Sequence, residues 1–356
     1  MSRLRYMKSI FLCFFQKRFF NPPKYFCLIL PFIFICKIGF AQLPEGHQEY
    51  ALRHGGLQRK YIVYAPSSYD QKQGFPLVIA IHGGGGSAEG SIDYFELTQK
   101  AEEENFMIAY PQGYAIQVLG KNFGSWNGGN CCGPALKKNV DDVGFIRKMI
   151  LKIEKDYNID AKRIYVTGMS NGAIMAYALA CELSDKIAAI APVGSIGHYK
   201  ECRPKYPVPV LHIHGIDDPC AAYEGCKDCE GCSMKFLKNM GLQVDENRID
   251  VESVTSFLDK HRRINGCSET TKEIFRNKGA TCIAYQNCDN NAEVVQCSVK
   301  GLGHTWPGRT TYSAKSCDSR PNGFLCRSWK NAVGELNQDI IANDMIWGFF
   351  KDHPKH

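Results

Sequence analysis

The chain has 356 residues, 44% hydrophobic and 22% charged, which excludes a disordered or fibrous protein and allows a large buried core. Its formal charge of +7 is concentrated at one end: seven of the 43 basic residues (Arg3, Arg5, Lys8, Lys17, Arg18, Lys24, Lys37) and no acidic residue lie in 1–41. The 36 basic and 36 acidic residues that remain cancel, which removes the electrostatic case for nucleic-acid binding.

Positions 1–41 read as a signal peptide. A basic stretch precedes the apolar run Tyr25–Cys36, and Gly39-Phe40-Ala41 offers small residues where a signal peptidase cuts, placing cleavage after Ala41. The run falls short of the roughly 20 apolar residues of a membrane span, so no stable anchor is expected once the leader is removed. Met7 is an alternative start. Three of the 17 cysteines (Cys13, Cys27, Cys36) lie in this segment, leaving 14 in 42–356. An even, high number in an exported protein points to disulfides. Cys220, Cys226, Cys229 and Cys232 include a C-x-x-C-x-x-C spacing that would hold zinc in a reduced protein, but the export signal favours bridges over metal. The adjacent Cys131-Cys132 form either one vicinal bridge or two bridges to distant partners.

Along the rest of the chain, Arg59–Pro66 alternates and predicts an edge strand, and Pro76–His82 is a continuous apolar run suited to a strand buried on both faces. A helix over Tyr94–Glu104, a strand over Phe106–Tyr110 and a long loop over Pro111–Asn139 follow. Asp141-Asp142 open a helix running to about Tyr157, with the two acids as helix-dipole stabilisers. Arg163–Thr167 is a strand, Asn171–Glu182 a helix, and Ile187–Val193 and Val208–His214 are strands. A helix around Val251–His261 and strands near Thr281–Tyr285 and Val294–Lys300 precede a closing helix over Asp339–His353. This alternation predicts an α/β protein, a mostly parallel sheet with helices on both faces and its chemistry at the carboxyl ends of strands.

Three such strand ends carry reactive residue types. Gly168-Met169-Ser170-Asn171-Gly172, between a strand and a helix, has the form of a nucleophile elbow, in which glycines permit the tight turn that lifts a serine hydroxyl clear of the sheet. His82-Gly83-Gly84-Gly85-Gly86 supplies a backbone N–H for an oxyanion, with Asn171 supplying the other. The glycine run is not a phosphate loop, since Ser87-Ala88-Glu89 replaces the Gly-Lys-Ser/Thr such a loop needs. Later strand ends bring His214-Gly215-Ile216-Asp217-Asp218-Pro219 and Gly303-His304-Thr305-Trp306-Pro307-Gly308. The order Ser, Asp, His is that of α/β-hydrolases. His82, His212 and His214 read as packed structural residues; His198, His353 and His356 read as exposed. Asp217 competes with Asp218.

With these motifs together, Arg59–Phe350 resembles the secreted serine esterases grouped as polyhydroxybutyrate depolymerase-like and feruloyl esterases, within the α/β-hydrolase fold. The resemblance rests on Tyr61–Pro66, the His82 glycine run, Ala109–Gly113, Trp126–Gly129, Cys131–Pro134, Val140–Phe145, Tyr165–Ala173, Leu211–Pro219 and Gly303–Gly308. It implies one α/β-hydrolase catalytic domain over 42–356, with Ser170 as nucleophile, His304 as general base and Asp218 as orienting acid. It places the oxyanion donors on Gly84, where many relatives have Cys, and on Asn171. Trp126 and Trp306 would wall the substrate cleft or else be core aromatics. Two inserts depart from the pattern, a Cys-rich one at about 220–242 and a second at about 310–335, and each is a candidate lid.

The expected activity is that of a secreted, cofactor-free and metal-free serine esterase acting on hydroxyacyl or feruloyl-type aryl esters through an acyl-enzyme. The sequence contains no linker with a separate polymer-binding module, which favours soluble oligomers or aryl esters over solid polyester. A peptidase or acyltransferase on the same triad, and a non-catalytic binding module, are the rival readings.

Overall fold

A computed structural model describes residues 43–355, apart from 119–120, 132, 200, 242–248, 313–316 and 318. The signal-peptide reading of 1–41 and the position of Cys132 lie outside the described residues.

Among the described residues the strands are β1 (His47–His54), β2 (Leu57–Tyr64), β3 (Phe75–Ile81), β4 (Met107–Pro111), β5 (Tyr114–Val118), β6 (Lys121–Ser125) and β7 (Ile159–Met169). They continue with β8 (Ala189–Val193), β9 (Val210–Gly215), β10 (Cys226–Cys229), β11 (Ile249–Val251), β12 (Thr271–Asn277), β13 (Ala280–Tyr285) and β14 (Val294–Val299). Ten of them form one sheet in the order β1-β2-β4-β3-β7-β8-β9-β14-β13-β12. From β4 to β14 the neighbours run parallel, and antiparallel strands complete both flanks.

Side-chain alternation splits the core in two. In β3, Phe75, Leu77, Ile79 and Ile81 pack with Phe145 and Ile146 of the helix Asp142–Asp156 and Met175 and Tyr177 of the helix Asn171–Glu182. Val78 and Ala80 point the other way, toward Ile92 and Phe95 of the helix Ala88–Phe95 and Ile346 and Phe350 of the helix Ala342–Asp352. All seven residues of β3 are buried, as a strand covered on both faces requires. Each buried aliphatic side chain contributes about 1.5–3 kcal/mol, so this layer fixes the frame on which the strand ends sit. The mostly parallel α/β sheet anticipated from the alternation, and the α/β-hydrolase architecture implied by the resemblance, are thus present.

Three local expectations need correction. The strand predicted at Arg59–Pro66 is not an edge, because β1 pairs outside it, His47 opposite Tyr64. The helix expected over Tyr94–Glu104 is two helices, Ala88–Phe95 and Leu97–Glu104, interrupted at Glu96, which adopts φ 50°. The loop expected over Pro111–Asn139 contains the β5–β6 hairpin and the short helix Gly133–Lys137. Strand β6 is held against the glycine loop by Gly85 N–H donating to Gly124 O (2.8 Å) and Gly124 N–H to Gly86 O (3.1 Å).

Both inserts carry structure. The first holds β10 and the helix Cys232–Asn239; the second holds the helix Phe324–Val333. The two helices pack together, with the Phe236 and Trp329 rings 5.6 Å apart edge to face. Six disulfides join pairs of described residues: Cys181–Cys202, Cys220–Cys232, Cys226–Cys229, Cys267–Cys288, Cys282–Cys297 and Cys317–Cys326. Such a set fits an oxidising compartment. Among the described residues, no helix is long and apolar enough to cross a membrane.

Candidate active site

Ser170 sits at the carboxyl end of β7, directly before the helix Asn171–Glu182. Its backbone is held at φ 58°, ψ −120°, a conformation that costs a non-glycine residue about 1–3 kcal/mol and persists only where neighbours enforce it. They do so here through the flanking glycines. A Cβ on Gly168 would stand 2.6 Å from Gly172 O, and one on Gly172 would run into Ile81 O and His82 O. The Ser170 N–H donates to Val193 O at 2.9 Å, locking the elbow to the end of β8.

The glycine run leaves β3 beside this elbow. A Cβ on Gly83 would lie 3.4 Å from Ser170 Cβ, and one on Gly84 3.8 Å from Asn171 Cβ. Among the described residues, neither the Gly84 nor the Asn171 N–H is taken by a hydrogen bond. The Asn171 side chain is clamped instead, its Oδ1 accepting from Trp126 N (2.7 Å) and its Nδ2 donating to Trp126 O (3.1 Å).

Asp218 and His304 come from adjacent parallel strands, β9 and β14, whose ends are level because Gly215 pairs with Val299. His304 Nδ1–H donates to Asp218 Oδ2 at 2.6 Å. Asp218 Oδ1 accepts from the N–H groups of Cys220 and Ala221, both at 2.8 Å. Burial alone would raise the Asp218 carboxyl; the attraction and hydrogen bond of His304, with smaller contributions from His214 and the Ala221 N–H, outweigh it and hold the group below the usual range. The charged partner and the hydrogen bonds favour the carboxylate. Asp217, by contrast, is exposed and its Oδ2 accepts from Gly301 N at 2.6 Å, which makes it a strand-end brace.

The imidazole lies toward the elbow. A Cβ on Gly194, the residue after β8, would stand 3.6 Å from His304 Cε1 and 2.7 Å from Met169 Cε. Among the described residues no hydrogen bond joins Ser170 Oγ to His304; the acid–base pair is closed and the step to the hydroxyl is not. The carboxylate and imidazole are therefore assembled on the same rim as a strained serine.

Comparison with known proteins decides the family: the profile of the Phospholipase/Carboxylesterase family matches residues 67–261. The chain belongs to that family. Relatives include a feruloyl esterase B of Piromyces equi, 29% identical over 251 residues, which are 69% of this chain and 42% of that protein. A bifunctional acetylxylan esterase/xylanase of Neocallimastix patriciarum is 26% identical over 253 residues, 71% of this chain and 32% of that protein. The chain thus spans less than half the length of either. A protein of Aspergillus clavatus named "Probable feruloyl esterase C" is 30% identical over 255 residues, 70% of this chain and 82% of its own length.

In this carboxylesterase-family chain the two tryptophans, read as cleft walls or core aromatics, are core residues. Trp126 is 0% and Trp306 2% exposed. Each indole N–H is used internally, Trp126 Nε1 donating to His82 O (2.9 Å) and Trp306 Nε1 to Asn343 Oδ1 (3.0 Å). Neither offers a face to a ligand. His82 is structural as expected, its Nδ1–H donating to Gly83 O (2.7 Å) and its Nε2 accepting from Gly113 N (3.0 Å). His353 is buried rather than exposed, bonded to Phe349 O at 2.8 Å, and His198 is half-buried.

The Cys220–Cys232 bridge touches the site. Both sulfurs and a ring nitrogen of His304 lie within 4.8 Å of one another, the one such grouping of metal-type donors among the described residues. Joined as a disulfide, these sulfurs offer no thiolate to an ion. Cys131 is also disulfide-bonded. A supporting cation that no sequence motif marks is Arg59, buried against Asp142, whose other oxygen accepts from Asn127 N at 2.8 Å and so fixes the loop that clamps Asn171.

Proposed function

We propose that the chain is a secreted serine esterase that cleaves aryl, feruloyl-type or acetyl esters of soluble plant-polysaccharide oligomers, with Ser170, His304 and Asp218 as its triad. The observation that carries this reading is the 2.6 Å His304–Asp218 bond on the rim where Ser170 is held in a strained elbow. Its Nδ1–H committed to the carboxylate, His304 keeps Nε2 as the proton acceptor.

In the mechanism, Ser170 Oγ attacks the ester carbonyl and gives its proton to His304, whose cationic form Asp218 stabilises. The N–H groups of Gly84 and Asn171 receive the oxyanion. The alkoxide leaves with the proton from His304, and water, deprotonated by the same imidazole, releases the acid from the acyl-enzyme. No step calls on a group outside residues 42–356, read as one catalytic domain reached after leader cleavage.

The relatives named as feruloyl and acetylxylan esterases support this substrate class over hydroxybutyrate polyester. The test is purified 42–356 with methyl ferulate, acetylated xylo-oligosaccharide and hydroxybutyrate oligomer, alongside Ser170→Ala and fluorophosphonate labelling. Hydrolysis of the first two with loss in the variant is the expected result. Undiminished turnover by Ser170→Ala would remove Ser170 from the mechanism, and absence of labelling would favour a binding module.

A further inference from the structure

Behind Asp218 lies a file of buried polar groups that the proposed mechanism does not use. Tyr177 OH stands 2.9 Å from His212 Nδ1, His212 Nε2 stands 3.0 Å from His214 Nδ1, and His214 Nε2 stands 2.7 Å from Ala221 O. The far end dictates every proton. A carbonyl oxygen only accepts, so His214 carries its hydrogen on Nε2 and its Nδ1 accepts. His212 must then carry its hydrogen on Nε2 and accept from Tyr177 O–H on Nδ1. Protonating His214 would oblige His212 to switch tautomer and the Tyr177 oxygen to accept instead of donate. Burial, the dominant cause, holds both imidazoles below their usual range, in keeping with two neutral rings.

The file ends on the catalytic acid. His214 Nε2 lies 3.6 Å from Asp218 Oδ2, the oxygen that accepts from His304. Ala221, whose carbonyl takes the His214 proton, gives its own N–H to Asp218 Oδ1. One residue, through its N–H on one side and its C=O on the other, is thereby held between the imidazole and the carboxylate. The edge of the Tyr223 ring closes the remaining side of His214, 5.8 Å between centroids.

We propose that His214 is a positioning residue for Asp218. Its Nε2–H fixes the carbonyl of Ala221, the residue whose N–H holds Asp218 Oδ1, while Tyr177 and His212 lock its tautomer. The inference rests on the triad reading above.

The test compares His214→Asn with His214→Gln. Asn reaches only the level of Nδ1, keeping the bond to His212 and losing the donor to Ala221 O. Gln, one methylene longer, carries an amide N–H to the level of Nε2. His214→Asn is expected to lower kcat about 10-fold or more with KM little changed, the scale of an unpaired buried acceptor, and to displace the acidic limb of the pH profile of kcat/KM. His214→Gln is expected to restore both. A folded His214→Asn with wild-type kcat and profile overturns the proposal, as does a Gln variant as impaired as Asn. Should Asn fail to fold, His214→Phe takes its place, and collapse of both would make His214 merely structural. Fluorophosphonate labelling separates the two layers. No label on the wild type sinks the esterase reading, whereas wild-type labelling rates in His214→Asn sink this one alone.

Discussion

Arg59 and Asp142, 83 positions apart in the chain, meet through an Nη2–Oδ1 contact of 2.6 Å with both side chains closed to solvent. The Arg59 guanidinium also lies 4.0 Å from the centre of the Phe145 ring. Removing one member of a buried pair leaves an uncompensated charge, so Arg59→Met is expected to cost about 3–5 kcal/mol of stability. The double variant Arg59→Met, Asp142→Leu should recover much of that loss. Urea unfolding of the three proteins measures it; a double variant no better than the single would show that the charge was not the problem.

The elbow and the glycine loop after β3 both contain glycine, for different reasons. Gly172→Ala pushes a methyl into the carbonyl oxygens of Ile81 and His82, whereas Gly84→Ala meets its first neighbour, Asn171 Cβ, at 3.8 Å, an ordinary contact. Thermal melting should show Gly172→Ala strongly destabilised and Gly84→Ala close to wild type. Similar melting temperatures would contradict the packing described for the elbow.

Two adjacent acids compete for one role, and kinetics distinguish them. Asp218→Asn is expected to reduce kcat on the order of 10⁴-fold, because the amide no longer enforces the tautomer of His304. Asp217→Asn keeps an oxygen for Gly301 N–H and should change kcat by less than about 10-fold. A larger loss in Asp217→Asn than in Asp218→Asn would move the carboxylate role one residue earlier.

Acid should weaken the fold in a defined window. Burial pulls His82 and His261 from 6.5 to about 4. Between those values the unfolded chain binds protons that the folded chain refuses, so stability falls as pH drops from 6.5 toward 4 and returns as pH rises. Asp218, held below the usual carboxylate range, adds its loss only at lower pH. Urea midpoints stepped across the window measure the effect, and a flat profile would contradict it.

Much of the site was legible because its signals are local. Gly168–Gly172 lies between an apolar strand and a helix, and the steric need for glycine is written in five residues. Asp218 and His304 follow apolar runs, where a parallel sheet gathers its strand ends. The tryptophans were not legible in this way. Their burial depends on partners such as His82 O and Asn343, 44 and 37 positions away, that no local pattern reveals. Strand β12 was missed because almost every residue in it faces solvent, leaving no apolar period to read. His214 is packed, as its place in an apolar strand predicts, but its link to Ala221 and Asp218 exists only once the turn after β9 has formed.

Ester cleavage shuttles protons and an acyl group, yet one support of the proposed machinery can be severed by electrons alone. The Cys220–Cys232 bridge begins two residues after Asp218, runs beside His304 and fastens the insert helix to the acid-bearing turn. Thiol balance in the surroundings therefore acts on this protein beside the proposed acid and base, and a preparation made in a reducing host would carry a loosened turn at Asp218.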